Sequence, residues 1–177
     1  MLDTVRTDVA RVSVLSGRKS VRLKSWLHQD RGTCAPTEIG RLRLPARVGA
    51  TIPGDPRVLC VAPREWLLVS DALAGCQLRE HIERQAGQNV AVADLSDGLA
   101  VLRIEGSAAQ EALTKGCGLD LHPRIFHEGL CARTRFAQIA VTLDRRASNQ
   151  FDLYVGRSYL AYLHSWLMDS MVELREP

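Results

Sequence analysis

The sequence predicts an α+β fold, antiparallel sheets with helices packed on one face in a ferredoxin-like arrangement. Three observations lead there. From Val58 onward, short apolar runs of strand length alternate with turn residues. Between them lie stretches whose apolar residues recur every three or four positions, the period of a helix with one buried face. The resulting order, β, α, β, β, α, β, β, α, returns helices over an antiparallel sheet. With 177 residues the chain fits one domain, divided into a basic N-terminal arm with short strands over 1–57 and a compact α+β part over 58–177.

In the arm, Val12-Ser13-Val14-Leu15, Val21-Arg22-Leu23 and Arg41-Leu42-Arg43-Leu44 read as short strands. The last alternates charged and apolar residues as a sheet with one wet face requires. Gly and Pro between Gly32 and Pro56 mark loops. Val58–Ala62 and Glu65–Val69 are buried strands. Leu73–Ala86, with Leu78, Ile82 and Ala86 four apart, is an amphipathic helix that Gly87 ends. Val90–Leu95 and Leu99–Ile104 flank Ser96-Asp97-Gly98, a tight-turn sequence that predicts an antiparallel hairpin. Ser107 and Gln110 form a capping box opening a helix that stops at Gly116. Phe136–Leu143 and Phe151–Val155 are strands joined by the polar run 144–150. Ser158 caps a last helix with a core stripe of Leu160, Leu163, Leu167, Met171 and Leu174 and a second, aromatic face of Tyr159, Tyr162 and Trp166.

The hydrophobic fraction of 46% and charged fraction of 24% describe an ordinary globular chain. No run of about 18 apolar residues is present, and Asp3 and Asp8 interrupt the N-terminus where a signal peptide would be apolar. Cys34, Cys60, Cys76, Cys117 and Cys131 are odd in number and contain no C-x-x-C pair, which suits free thiols in a reducing cytoplasm. Residues 1–57 hold eleven Arg and Lys against five Asp and Glu. Their charges are scattered with few aromatic residues, which favours an ordinary solvated surface over nucleic-acid binding, and a basic arm lying on an acidic protein partner explains the asymmetry equally well.

Nucleotide cradles of the G-x-G-x-x-G or Walker kind and the G-x-S-x-G elbow are absent. Cys117, His122, His127 and Cys131 have metal-ligand chemistry, but no knuckle or H-x-x-x-H pair brackets them. Cys117 beside Lys115 and His122 is a candidate nucleophile. A cysteine just past a helix C-terminus, however, meets the negative end of the dipole, and Lys115 there reads as a dipole-complementing cap. His28, His81 and His164 are isolated and receive no role. Asp94 and Asp97 around Ser96 read as turn-forming side chains. No catalytic, cofactor-binding or metal-binding residue is assigned.

Four segments carry a family resemblance: Pro63-Arg64-Glu65-Trp66-Leu67-Leu68-Val69; Ala93-Asp94-Leu95-Ser96-Asp97-Gly98 continuing through Val101-Leu102-Arg103-Ile104-Glu105-Gly106; Lys115-Gly116-Cys117-Gly118-Leu119-Asp120-Leu121-His122-Pro123-Arg124-Ile125-Phe126; and Phe151-Asp152-Leu153-Tyr154-Val155 with Arg157-Ser158-Tyr159. On these, over residues 58–172, the chain resembles the gamma subunits of heterotetrameric sarcosine oxidase, shortened relatives of the folate-binding aminomethyltransferases.

The resemblance implies the aminomethyltransferase fold and a non-catalytic small subunit. It implies alpha, beta and delta partners holding FAD, FMN, NAD and zinc, in a complex that demethylates sarcosine to glycine with transfer of the methyl carbon to tetrahydrofolate or its release as formaldehyde. It makes Lys115, Gly116, Cys117, Asp120, His122 and Pro123 a structural family motif, with Tyr159, Tyr162 and Trp166 as candidate partner contacts. Neither a nucleic acid nor a membrane is expected as a partner. A stand-alone folate-binding one-carbon protein is the alternative. The iron–sulfur assistance relatives continue Lys-Gly-Cys with an aromatic residue, Gly, Gln and Glu, whereas this chain continues Gly118-Leu119-Asp120-Leu121, a departure that speaks against a folate or redox role for Cys117.

Overall fold

A computed structural model describes residues 5–6, 9–26, 37–73, 75–86 and 89–172. The expectations for His28, Cys34, the loop from Gly32 to Pro36, Gly87 and Leu174 lie outside these residues. The chain forms two compact units, one from 1–16 and 98–177 and the other from 17–97. The expected arm boundary at residue 57 falls inside the second unit, at the first residue of a strand.

The first unit is built on a six-stranded antiparallel sheet in the order β1 (Val5–Arg6), β2 (Arg11–Val14), β10 (Leu99–Glu105), β13 (Gln150–Gly156), β12 (Ile139–Ala147), β11 (Cys131–Phe136). Alternation decides its faces. Val12, Leu102, Ile104, Leu143, Phe151, Leu153 and Val155 point to one side, where they meet Ala109, Ala112 and Leu113 of α2 (Ala109–Thr114) and Leu163, Leu167 and Met171 of α3 (Leu160–Val172). Each buried Leu or Phe adds about 1.5–3 kcal/mol. The core stripe expected on the last helix is present, with Leu163, Leu167 and Met171 buried and Leu160 partly so.

The second unit has a five-stranded sheet in the order β6 (Thr51–Ile52), β7 (Arg57–Ala62), β8 (Glu65–Ser70), β3 (Lys19–Ser25), β9 (Val90–Asp94). It also holds the small hairpin β4 (Glu38–Ile39) and β5 (Leu42–Arg43) and the helix α1 (Gly75–Gln85). Leu78 and Ile82 of α1 join Val21, Leu23, Val58, Cys60, Trp66 and Leu68 in its core. Trp66 anchors a loop by donating its indole N–H to the Pro45 carbonyl at 2.9 Å.

The α+β class and the antiparallel sheets are those the sequence predicts, but several local expectations give way. Val90–Asp94 and Leu99–Glu105 do not form a hairpin. The first pairs with β3 and the second with β13 and β2, in different sheets. The full seven-residue register from Leu99↔Gly156 to Glu105↔Gln150 outweighs a local turn, and Asp97-Gly98 marks the passage from one unit to the other. The capping box does not form either. The N-cap is Ala108 with no side-chain bond, while the Ser107 hydroxyl donates to the Val9 carbonyl at 3.3 Å.

Gly106 holds that corner at φ +122°, where a Cβ would come within 2.4 Å of the Val9 oxygen, so the close approach of two backbones requires glycine. Ser158 lies inside a 3₁₀ turn, Arg157–Tyr159, entered from Gly156 without a side-chain cap. Cys131–Phe136 is an unforeseen strand, Phe136 ends it rather than opening the next, and much of the presumed linker 144–150 is strand.

Candidate functional site

The Lys115–Phe126 segment begins where α2 ends. Lys115 is the C-cap residue, and the Gly116 N–H reaches the Leu113 carbonyl at 3.2 Å. The Lys115 ammonium caps another helix than its own, donating to the Ser170 carbonyl in the last turns of α3 at 3.1 Å. That is the favourable end of the α3 dipole for a cation.

Gly116 is fixed by packing. A Cβ there would lie 2.6 Å from the Trp166 ring and 2.8 Å from that of Phe136. These two rings meet edge to face with centroids 4.8 Å apart, a favoured aromatic geometry.

Cys117 is buried, bridges to Phe136, and faces the Thr134 hydroxyl at 3.7 Å. Asp120 Oδ1 accepts the His122 N–H at 2.8 Å, and His122 Nδ1 accepts the Arg124 N–H at 3.2 Å. The His122 carbonyl takes the N–H groups of Ile125 and Phe126, closing a compact turn around Pro123. The imidazole is thus engaged with its own turn and is not folded back on Cys117. His127 Nδ1 meets the Glu128 carbonyl at 2.8 Å. Cys117, His122, His127 and Cys131 do not converge, and among the described residues no three His, Cys, Asp or Glu are placed to hold a metal. His164 is buried on α3, and His81 pairs with Gln85 along α1.

Arg145, which the sequence places in a polar linker, is buried under this segment. Its Nη1 donates to the carbonyls of Leu121 at 3.0 Å and Phe126 at 2.7 Å, its Nη2 donates to that of Ser148 at 2.6 Å, and its guanidinium lies 5.0 Å from the Phe151 ring centroid. Burial pushes its pKa down, against the pull of Glu128. One side chain therefore ties both ends of the Leu121–Phe126 turn to the sheet.

Above Gly116 an open cavity of about 440 Å³ is lined by Lys115, Gly116, Gly118, Arg135, Gln138 and Trp166, among others, and an adjoining one of about 280 Å³ shares Lys115 and Trp166. Its rim is the two-residue turn between β11 and β12, in which Ala137 and Gln138 both have positive φ, 45° and 72°. The turn is held by the Ala137 N–H to the Gly116 carbonyl at 2.9 Å and by the Tyr162 hydroxyl to the Ala137 carbonyl at 2.7 Å. Of the three aromatic residues singled out on the last helix, Tyr159 and Tyr162 are exposed and Trp166 is half-buried against the core.

Sequence reasoning missed Arg135, the turn and Arg145. The alternation through Arg133, Thr134, Arg135 and Phe136 was the available strand signal.

Strand order, helix placement and this site define a small α+β chain of the aminomethyltransferase fold. It is similar to the glycine cleavage system aminomethyltransferase T from Bartonella henselae, with TM-score 0.63 and 19% identity over 90% of this chain and 45% of that one. The likeness is one of fold. No helix among the described residues is long and apolar enough to cross a membrane.

The description of the sarcosine oxidase, gamma subunit family fits residues 33–173. The chain belongs to that family. It is 35% identical over 144 residues to the sarcosine oxidase subunit gamma of Corynebacterium sp. strain U-96, a match spanning 78% of this chain and 67% of that protein. It superposes with TM-score 0.84 and 26% identity, over 99% of its length and 90% of the other's, on a chain of the heterotetrameric sarcosine oxidase from Corynebacterium sp. U-96 in complex with pyrrole 2-carboxylate.

Proposed function

We propose that this chain is the gamma subunit of a cytoplasmic heterotetrameric sarcosine oxidase. In this reading it assembles with alpha, beta and delta subunits that hold FAD, FMN, NAD and zinc. The assembly oxidatively demethylates sarcosine to glycine and passes the methyl carbon to tetrahydrofolate, and this chain supplies no catalytic residue. The observation that carries the proposal is the superposition over nearly the whole chain on a member of such a heterotetramer. The burial of Cys117, and of Leu121 and Phe126 in the same segment, supports a structural role for the family motif.

Co-expression of the chain with the alpha, beta and delta subunits of a heterotetrameric sarcosine oxidase from the same organism tests this. The tagged chain is expected to retain flavin-containing larger subunits through affinity and size-exclusion steps, and the purified assembly to oxidise sarcosine. A chain that stays monodisperse and never co-elutes with flavoprotein would overturn the proposal. Heat of tetrahydrofolate binding by the isolated chain would favour a stand-alone one-carbon protein instead.

A further inference from the structure

The groove above Gly116 combines charge, aromatic surface and strained backbone. Two cations, Lys115 and Arg135, line the larger cavity; Lys115 already donates to the Ser170 carbonyl, and Asp169 borders the adjoining cavity that it shares. Arg135 Nη2 contacts the carbonyl and side-chain oxygens of Gln138 at 3.4 and 3.1 Å, and amide oxygens carry no compensating charge. Ala137 and Gln138 occupy the left-handed region at about 1–2 kcal/mol each, where hairpins favour Asn-Gly. Backbone held in such a state by its surroundings is characteristic of binding and recognition sites. Gly118 opens the floor, since a Cβ there would meet nothing within 4 Å. Beside the groove, Tyr159 and Tyr162 are 52% and 46% exposed, and tyrosine is a residue type that anchors interfaces.

We propose that this groove docks an acidic segment of a neighbouring subunit. An Asp or Glu carboxylate pairs with Arg135 on the Lys115 side of the groove, and an apolar side chain next to it packs on Trp166 and Tyr162. The inference rests on the subunit reading above and deepens it. Charge complementarity selects the occupant's acidic character. The openness of the groove selects a protein segment over a small free anion: a solvated ion pair contributes little, whereas a chain that also covers the tyrosines excludes water and strengthens the pairing.

Two variants test it in the co-expressed assembly. Arg135→Glu reverses one charge, and Gly118→Leu adds an apolar side chain to the groove wall at a position whose Cβ meets nothing within 4 Å. Both are expected to keep the thermal midpoint of the isolated chain and to weaken association with the larger subunits by roughly tenfold or more, as loss of a desolvated charge pair does. Raised salt should weaken the wild-type assembly more than the Arg135→Glu one.

Wild-type affinity in both variants overturns the groove proposal and leaves the subunit reading standing. Failure of the wild-type chain to assemble overturns both. Glutarate binding to the isolated chain that Gly118→Leu abolishes, with assembly unchanged, overturns it in favour of a small-molecule site.

Discussion

Arg103 and Asp152 face each other directly across β10 and β13 and form a two-pronged ion pair, Nε to Oδ1 at 2.7 Å and Nη2 to Oδ2 at 2.8 Å. The carboxylate is fully buried and the arginine side chain only 18% exposed. Hydrogen bonding to Asp152 raises the arginine's pKa, outweighing the downward pull of burial. Arg146 approaches the same carboxylate from β12 at 3.9 Å, so three strands meet at one charge cluster. A bidentate pair of this geometry fixes strand register, because a slip of one residue would send both side chains to the opposite face of the sheet.

Removing one partner strips a largely buried charge of its two-pronged hydrogen bond. Asp152→Ala is therefore expected to destabilise the protein by about 3–5 kcal/mol, whereas Arg103→Met with Asp152→Leu together should cost much less than the sum of the single changes. Urea denaturation of the double-mutant cycle measures this. Additive losses would show that the pair does not act as a unit.

The two glycines flanking Cys117 should respond in opposite ways. Gly116→Ala drives a methyl into the rings of Trp166 and Phe136. Overpacking of that kind costs about 1–3 kcal/mol and should lower the thermal midpoint. Gly118→Ala projects into open space and should change stability by no more than about 0.5 kcal/mol. Equal effects at the two positions would contradict the packing around Trp166.

How far such details can be read in advance depends on the range of the interactions that create them. Leu163, Leu167 and Met171 were legible because a helix repeats its buried face every three to four residues, and Val58–Ala62 because a buried strand is apolar throughout. The Lys115–Phe126 segment was legible as a motif and as a helix end. Its rim was not, because Ala137-Gln138 carries no turn chemistry and its positive φ values depend on bonds from Gly116 and Tyr162. Arg145 looked like linker because a charged residue in a polar run is normally solvated, and its carbonyl partners lie as far as 24 positions away. The Asp97-Gly98 turn misled for the converse reason: its local signal was sound, but the strands on either side had longer ladders elsewhere.

Acid should weaken the second unit through Asp94. Its carboxylate accepts the backbone N–H of Ser96 at 2.9 Å and the Ser96 hydroxyl, and it lies against Gly75, the first residue of α1. Burial pulls its pKa up, but the Ser96 hydrogen bonds and the charges of Lys19 and Arg79 together outweigh that pull, and the net shift is downward from 3.8. A carboxylate depressed in the folded state contributes stability that is complete above its unfolded value. That contribution is lost as pH falls from there through the folded value. The denaturation midpoint of the wild type is thus expected to drop as the pH is lowered below about 4, and the gap between it and Asp94→Asn to narrow with it. A gap that stays constant with pH would contradict the assignment.

Arg145 offers the sharpest separation of local from global effects. The Leu121 and Phe126 carbonyls are satisfied by its guanidinium, which also rests on Phe151. Lysine cannot reproduce this, since a single ammonium lacks the planar fork that reaches carbonyls on both sides at once. Arg145→Lys should therefore free the Leu121–Phe126 turn while the sheet holds, raising hydrogen exchange at Ile125 and Phe126, whose N–H groups close on the His122 carbonyl. Arg145→Ala additionally leaves both carbonyls without their donor and opens a void against Phe151, for an expected loss of about 2–4 kcal/mol. If exchange in the turn were unchanged in Arg145→Lys, the turn would be held by its own Asp120 and His122 bonds, and Arg145 would serve only to fill the core.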